Sequence, residues 1–367
     1  MSADRLLEAI SKIGDDPDRI QQLRKIAVAL AVSGKLDKGA ATLSPSQMLE
    51  ALDRVKAALA KRGAIAKPKR RVAVTAEQLP EDFNDPARFA LLGELARIEK
   101  GQTGIQQAKP GTFPLVVTAA ERATCDHFDF EGAAAIIPLV SSTGHGNASL
   151  NRLHYQEGQF AVGTILAAVF PHDPDLISAR FLFEYLSAFK EELLVARMTG
   201  TANVTLSIGR IAEVPIPLIC PEVQRKVDEL TGLCDRLEAA RAGRERSRDR
   251  LAAVSLARLN APDPETFQTD VRFALAALPA VTLRPDQIKQ LRQTILNLAV
   301  RGKLVAQDAN DEPASELLAR SAARKTKGRS GRDWTAGMSA SNDEMFKALD
   351  GWAWTRIADT CDRVTVG

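Results

Sequence analysis

Residues 288 to 304 read IKQLRQTILNLAVRGKL and residues 20 to 36 read IQQLRKIAVALAVSGKL; at a constant offset of 268 the two agree at ten of seventeen positions. Solenoids repeat every few tens of residues, so an offset this long marks instead a duplicated unit carrying a whole domain between its copies. In the later copy Ile288, Leu291, Ile295 and Leu298 fall on one helical stripe, and Pro285-Asp286 supplies a start. Gly302 suits the left-handed position past a helix end, with Arg301 and Lys303 placed to meet the carbonyl end of the dipole. The earlier copy closes the same way at Ser33-Gly34-Lys35-Leu36. One copy alone reads as an ordinary amphipathic core helix; two copies imply a shared structural role. Gly-Lys does not make a phosphate-binding loop here. The position of that motif's first Gly holds Ala29 or Asn297, and the position of its Ser/Thr holds Leu36 or Leu304.

The chain has 367 residues, 45% hydrophobic and 26% charged, a soluble balance that predicts two or three domains. Its net charge of +3 does not by itself announce a nucleic-acid partner; only clustering would. Cys125, Cys220, Cys234 and Cys361 form no CxxC pair, no signal peptide is visible and no apolar run approaches a membrane span. The expectation is a reducing, cytoplasmic protein without membrane contact.

Working outward from the repeat, residues 1–62 read as helical, with Met48, Leu49, Leu52, Val55 and Leu59 at helical spacing after Ser44-Pro45. A basic linker follows over 63–88; the run KRGAIAKPKRR from Lys61 to Arg71 holds six cations and no acid, a solvated stretch or one that rests on phosphate. Over 89–221 the texture changes to an α+β domain. Strands or buried segments are expected at Leu91–Ile98, Phe113–Thr118, Ala133–Val140, Phe160–Phe170 and Val204–Ile208, and a helix at Ser178–Val195. A helical spacer over 222–320 includes the repeat helix at 286–304. Val223, Val227, Leu230, Cys234 and Leu237 make a coiled-coil seam, which Arg241, Arg244 and Arg248 then interrupt or rotate before Leu251. A linker over 321–351 leads to 352–367, where Trp354-x-x-Ile357-Ala-Asp matches Phe89-x-x-Leu92-Gly-Glu at an offset of 265. A second copy of the middle domain therefore opens there, and the expectation is a truncated chain or a half-length one that works as a pair.

Three stretches resemble the specificity subunit of type I restriction-modification systems. They are LRQTILNLAVRGKLVAQDANDEPASELL (291–318), MTGTANVTLSIGRIAEVPIPLICPEVQRKV (198–227) and, more weakly, LLGELARIEKGQTGI (91–105). The resemblance covers roughly residues 20 to 367 and implies an α+β target-recognition domain joined to long antiparallel helical, coiled-coil spacers. Cys220-Pro-Glu-Val-Gln departs from the family's usual text before the spacer, and only one recognition domain is complete. The resemblance further implies a non-catalytic subunit that reads double-stranded DNA. Its implied partners are modification (methyltransferase) subunits that carry S-adenosylmethionine, a restriction/translocase subunit and, for a half-length chain, a second copy of itself. No cofactor is expected on this chain. The spacer residues Leu23, Leu30, Leu230, Leu237, Leu291, Ile295 and Leu298 would face the modification subunits.

The residues agree independently that chemistry is missing. There is no Asn/Asp-Pro-Pro-aromatic methyltransferase loop, no Gly-rich cofactor loop and no Asp…Glu-x-Lys nuclease set; Cys125-x-His127 lacks a second metal-ligand pair, and Ser141–Asn147 lacks Gly-x-Ser-x-Gly. That Gly-rich loop is still the leading DNA-contact candidate, with Ser142, Thr143, His145 and Asn147. Grouped with it are Lys100, Gln102, Thr103 and Lys109, then Arg152 and His154, then Arg197, Thr201 and Asn203. For each alone, a turn side chain bonded to its own backbone is the competing reading. At the level of the whole chain, a coiled-coil scaffold without DNA binding and an enzyme in its own right are the rival readings.

Overall fold

The computed structural model describes residues 17–36, 43–67, 70–81, 83–143, 146–260, 263, 265–282, 284–305, 307–308, 310–326, 349–355 and 357–360. His145, most of the 321–351 linker and the chain's last residues lie outside that set. Two compact units divide the chain, Met1–Ala242 and Gly243–Gly367.

Both copies of the repeat are helices, α1 (Pro17–Val32) and α9 (Pro285–Val300). They stop by the same device. Gly34 and Gly302 take φ of 74° and 61°, a region that costs glycine nothing. Lys35 N donates to Leu30 O at 2.8 Å and Lys303 N to Leu298 O at 2.9 Å, while Gly34 and Gly302 donate to Ala31 and Ala299, both at 3.0 Å. This is the paired 6→1 and 5→2 closure of a Schellman motif, repeated at the offset of the sequence. Further elements repeat too: α2 (Pro45–Lys61) follows the first copy and α10 (Ala314–Thr326) the second. The four-residue helices α3 (Leu92–Leu95) and α11 (Ile357–Thr360) stand at the offset of 265.

In the first unit the domain is an α+β layer pair. Its six strands are β2 (Ala96–Lys100), β3 (Phe113–Val116), β4 (Ala123–Cys125), β5 (Phe130–Pro138), β6 (His154–Val162) and β7 (Leu166–Pro171), in the order β2-β7-β5-β6-β3-β4. All neighbours are antiparallel except β3 and β6. One face holds Phe130, Phe160 and Phe170, with centroids 5.5 to 6.3 Å apart. The other packs on α4 (Ala179–Ala188), whose Phe181, Leu182, Tyr185 and Leu186 are buried; a buried aromatic of this size contributes about 2–3 kcal/mol. The short strands β1 (Phe89–Leu91) and β8 (Pro215–Pro217) pair with each other. The two chain ends of the domain thus meet, and an insertion with adjacent ends disturbs its helical host least.

Several segments differ from the sequence reading, each for a tertiary reason. Phe160–Phe170 is two strands, since Leu166 N turns back to Gly163 O. Leu91–Ile98 is interrupted by α3, where Gly93 comes so close to Ala212 that a Cβ would meet its Cβ at 2.9 Å. The helix expected over Ser178–Val195 breaks at Phe189, whose ring turns inward to Phe83 and Tyr185, 5.3 and 5.4 Å away; a separate turn, α5 (Lys190–Leu193), follows. Val204–Ile208 makes only isolated bridges at Thr205, and Ser207 caps α6 (Ile208–Ala212) by accepting from Arg210 N.

The spacer begins with the 40-residue helix α7 (Pro221–Asn260). Within the first unit α1 runs antiparallel to it: Gln21 bonds Glu238, Arg24 reaches Asp235 and Thr231 O, and Leu36 O accepts from Lys226. The seam is rotated from its expected register. Val223, Val227 and Cys234 are buried, but between them Thr231 is buried while Leu230 is 37% exposed. Within the second unit the buried stripe resumes at Ala252, Ser255 and Leu259. There α9 lies beside α7 in the same direction, because Arg284 at its start pairs with Glu245 and Asp249, and Asn297 and Arg301 at its end bond Asn260. The antiparallel pairing expected for the spacer is the one α1 makes with α7, and α8 (Phe267–Val281) is the helix that brings the chain back round to start α9.

The two repeat copies bury different faces. Ile20, Ala27, Val28 and Val32 of the first are at most 7% exposed, the last two within the domain's main core. Their counterparts Ile288, Ile295, Leu296 and Val300 are 38 to 57% exposed, and two of them are bulkier than the residues they match.

Candidate nucleic-acid interface

The residues singled out from sequence lie in distinct settings. At the opening loop Lys100, Gln102 and Lys109 are exposed and Thr103 is buried. Thr103 Oγ1 lies 2.9 and 3.0 Å from the two Asp129 oxygens and 3.0 Å from His127 Nε2, while His127 Nδ1 is 2.8 Å from Asp126. An Asp-His-Thr line of this kind resembles an activated nucleophile. The carboxylate of Asp129 can only accept, so it takes the single hydroxyl proton; the hydroxyl is committed to Asp129 rather than to the imidazole and is not activated. Asp129 also accepts from Val162 N, so the group works as a latch between the opening loop and the sheet. The hydrogen bond from His127 holds the Asp126 carboxyl below its ordinary range. The Cys125 thiol is buried and donates to His127 O.

A second group joins the Gly-rich loop to the domain's exit. Ser141 N donates to Val204 O, Val140 bridges Thr205, and a Cβ on Gly146 would lie 2.6 Å from Thr201 O. Asn147, Thr201 and Asn203 are exposed on this pair of loops. Ser142 Oγ accepts from Asn151 N at 2.9 Å and Thr143 Oγ1 lies 3.4 Å from Asn147 O, so both hydroxyls are engaged within the loop. Arg197 is half-buried and donates to the carbonyls of Glu192, Leu193 and Gln78, which pins the end of α5.

The third group surrounds the start of β6 and contains a residue the sequence reading passed over. Arg122 donates to Gln156 Oε1 at 3.0 Å, His154 Nδ1 at 2.9 Å and Tyr155 O at 3.1 Å. Its flanks, Ala-Glu before and Ala-Thr after, carry no signal; only the sheet brings it to His154. His154 itself is 4% exposed, and burial followed by the charges of Arg122 and Arg152 pushes its imidazole down to about 4. Arg152 is exposed at the rim.

The depressed imidazole makes stability depend on pH. A histidine whose folded pKa lies below its unfolded value of about 6.5 binds fewer protons when folded, so its contribution is complete above that pH and is lost as pH falls to about 4. Asp228, raised to about 6 by burial, acts in the opposite sense over an overlapping window. The comparison that isolates His154 is therefore wild type against His154→Gln. The variant's unfolding free energy should vary less between pH 6.5 and 4, by at most about 3 kcal/mol; parallel profiles would show that the imidazole is not held neutral.

Among the spacer residues, Leu23, Leu30, Leu237 and Leu291 are half-buried, Leu230 and Ile295 exposed, and Leu298 buried. Among the described residues no helix is long and apolar enough to cross a membrane, and no group of three or more His, Cys, Asp or Glu side chains could hold a metal ion.

No protein-family profile matches the chain. It is 25% identical over 368 residues to the specificity subunit of the type I restriction enzyme EcoAI from Escherichia coli, covering 92% of this chain and 62% of that protein. It is 26% identical over 376 residues to the corresponding EcoEI subunit of the same organism, covering 95% and 63%. This chain is similar to type I specificity subunits. It spans about three-fifths of the length of these relatives. Among solved structures, the type I S subunit from M. genitalium matches with a TM-score of 0.37 at 15% identity, covering 49% of this chain and 47% of that one. The S subunit from Thermoanaerobacter tengcongensis matches at 0.31 and 16%, covering 71% and 53%.

Proposed function

We propose that the chain is a non-catalytic DNA sequence-recognition subunit of a type I restriction-modification complex. The observation that carries this reading is the likeness to two specificity subunits along more than nine-tenths of the chain. The structure supports it in kind: an α+β domain whose ends meet is set into a helical frame, and the frame starts again after it. The domain reads one half-site through its loops. The helices fix the distance to a second reading domain, since a rigid spacer makes half-site separation a property of the protein. Modification subunits, which supply S-adenosylmethionine, dock on the exposed spacer leucines and isoleucines, and a restriction subunit joins the assembly in the cytoplasm. Because a methyltransferase extrudes its target base, this chain's part is to choose the site and hold the duplex for it.

The test is reconstitution. With modification subunits and radiolabelled S-adenosylmethionine, methyl transfer to adenine should require this chain and be confined to one sequence motif, and the chain alone should transfer nothing. Motif-independent methylation would favour a scaffold; methyl transfer by the chain alone would make it an enzyme.

A further inference from the structure

The cleft of about 610 Å3 between α1, α4, α7 and the start of β6 has walls of different character. On the helical wall the three carboxylates Glu184, Asp235 and Glu238 are all paired, sharing the guanidiniums of Arg24 and Arg180. Arg180 lies 2.6 Å from Glu184 and 2.9 Å from Asp235, and Arg24 reaches Asp235 and Glu238. On the sheet wall the cations lack such partners: Arg122 gives its donors to neutral acceptors only, and no carboxylate among the described residues forms an ion pair with Arg122 or Arg152.

Beside these charges lies an unpaired donor. An arginine is always a donor, so His154 Nδ1, 2.9 Å from Arg122, must be the acceptor, and the ring proton sits on Nε2. Nε2 is fully buried and has no hydrogen-bond partner among the described residues, in a residue that lines the cleft and is 4% exposed. A buried donor left unpaired costs about 1–3 kcal/mol, so such a group points to a ligand that completes it. Burial also lowers the Arg122 pKa, the sign of a guanidinium desolvated without a counter-charge. Two guanidiniums without a counter-charge, Arg122 keeping two of its five N–H groups after its bonds to Gln156, His154 and Tyr155, stand beside a lone N–H and suit a tetrahedral oxyanion, which accepts from several directions at once.

We infer that this cleft seats a phosphate group, held by Arg122 and Arg152 with His154 Nε2 as a further donor, and that the phosphate belongs to the backbone of the bound duplex. The inference rests on the reading of the chain as a DNA-binding subunit and adds to it a contact that positions without reading bases. It also separates His154 from the base-reading loops: a neutral, buried imidazole serves the backbone.

The experiment uses the full chain, a short random-sequence duplex and, separately, inorganic phosphate. Arg152→Gln is the decisive variant, since its side chain is exposed and makes no hydrogen bond or ion pair among the described residues. Fluorescence anisotropy across a salt series should show several-fold weaker duplex binding for every sequence tried, and a log K against log salt slope shallower by about 1. Arg122→Lys, which keeps the charge but loses the fork, should weaken binding likewise. An unchanged slope in Arg152→Gln, with wild type binding the duplex, overturns the seat while leaving the recognition reading intact. If wild type binds no duplex but millimolar inorganic phosphate moves the His154 ring resonances, the phosphate seat stands as a site for the free anion and the recognition reading falls. If neither probe perturbs His154, there is no seat.

Discussion

Ile295→Asp is expected to abolish co-purification of the chain with modification subunits while leaving its melting temperature within about 2 °C of wild type. Ile295 is 43% exposed and stands beside Leu296 at 57%, so a carboxylate there loses no core contact, and surface changes of this kind stay within about 0.5 kcal/mol. At the centre of an apolar interface the same charge would be desolvated without a partner, a penalty of about 3 kcal/mol or more and hence a loss of affinity of at least about a hundredfold. Leu291 is the poorer site for this test because it is half-buried within its own unit, and an aspartate there confounds folding with assembly. Retained assembly with Ile295→Asp would remove α9 from the docking surface.

Phe160→Ala should destabilise the recognition domain by about 3–5 kcal/mol, measured by denaturant titration of the full chain, and should abolish duplex binding at 37 °C. Phe160 is fully buried on β6 and packs against both Phe130 and Phe170. The same strand pairs with β3 on one side and β5 on the other, and its first residue is His154. Cavity formation under this strand loosens both the latch at Thr103, through Val162 N and Asp129, and the guanidinium at Arg122, through the Gln156, Tyr155 and His154 acceptors. A loss below about 1 kcal/mol would show that the three rings do not form one packed unit.

The frame was legible in the sequence for a specific reason. Duplication lets two stretches vouch for each other, and the glycine closures at Gly34 and Gly302 are local signals that tertiary packing does not override. The seam along α7 was only partly legible. Periodicity favoured Leu230, but the antiparallel neighbour α1 places Arg24 against Thr231, and the buried stripe follows the neighbour rather than the more apolar side chain. Likewise Phe160–Phe170 is apolar almost throughout, so no pattern of side chains marks the turn at Gly163 that divides it. The interface was least legible because its parts are distant in sequence. Thr103 was selected as a donor to DNA and is committed to Asp129, while Arg122, with no distinguishing neighbours, acquires its setting only when β6 arrives beside it.

Domain exchange tests the central claim most directly. Residues 89–221 begin on β1 and end four residues past its partner β8, where α7 starts, so the segment can be replaced by the equivalent segment of a relative with a different target. The adenine-methylation motif of cells carrying the modification subunits can then be read genome-wide. If this domain reads one half-site and the helices set the spacing, the exchange changes one half of the motif and keeps the other half and the gap between them. A motif that does not change, or a gap that moves with the exchanged domain, would contradict the account.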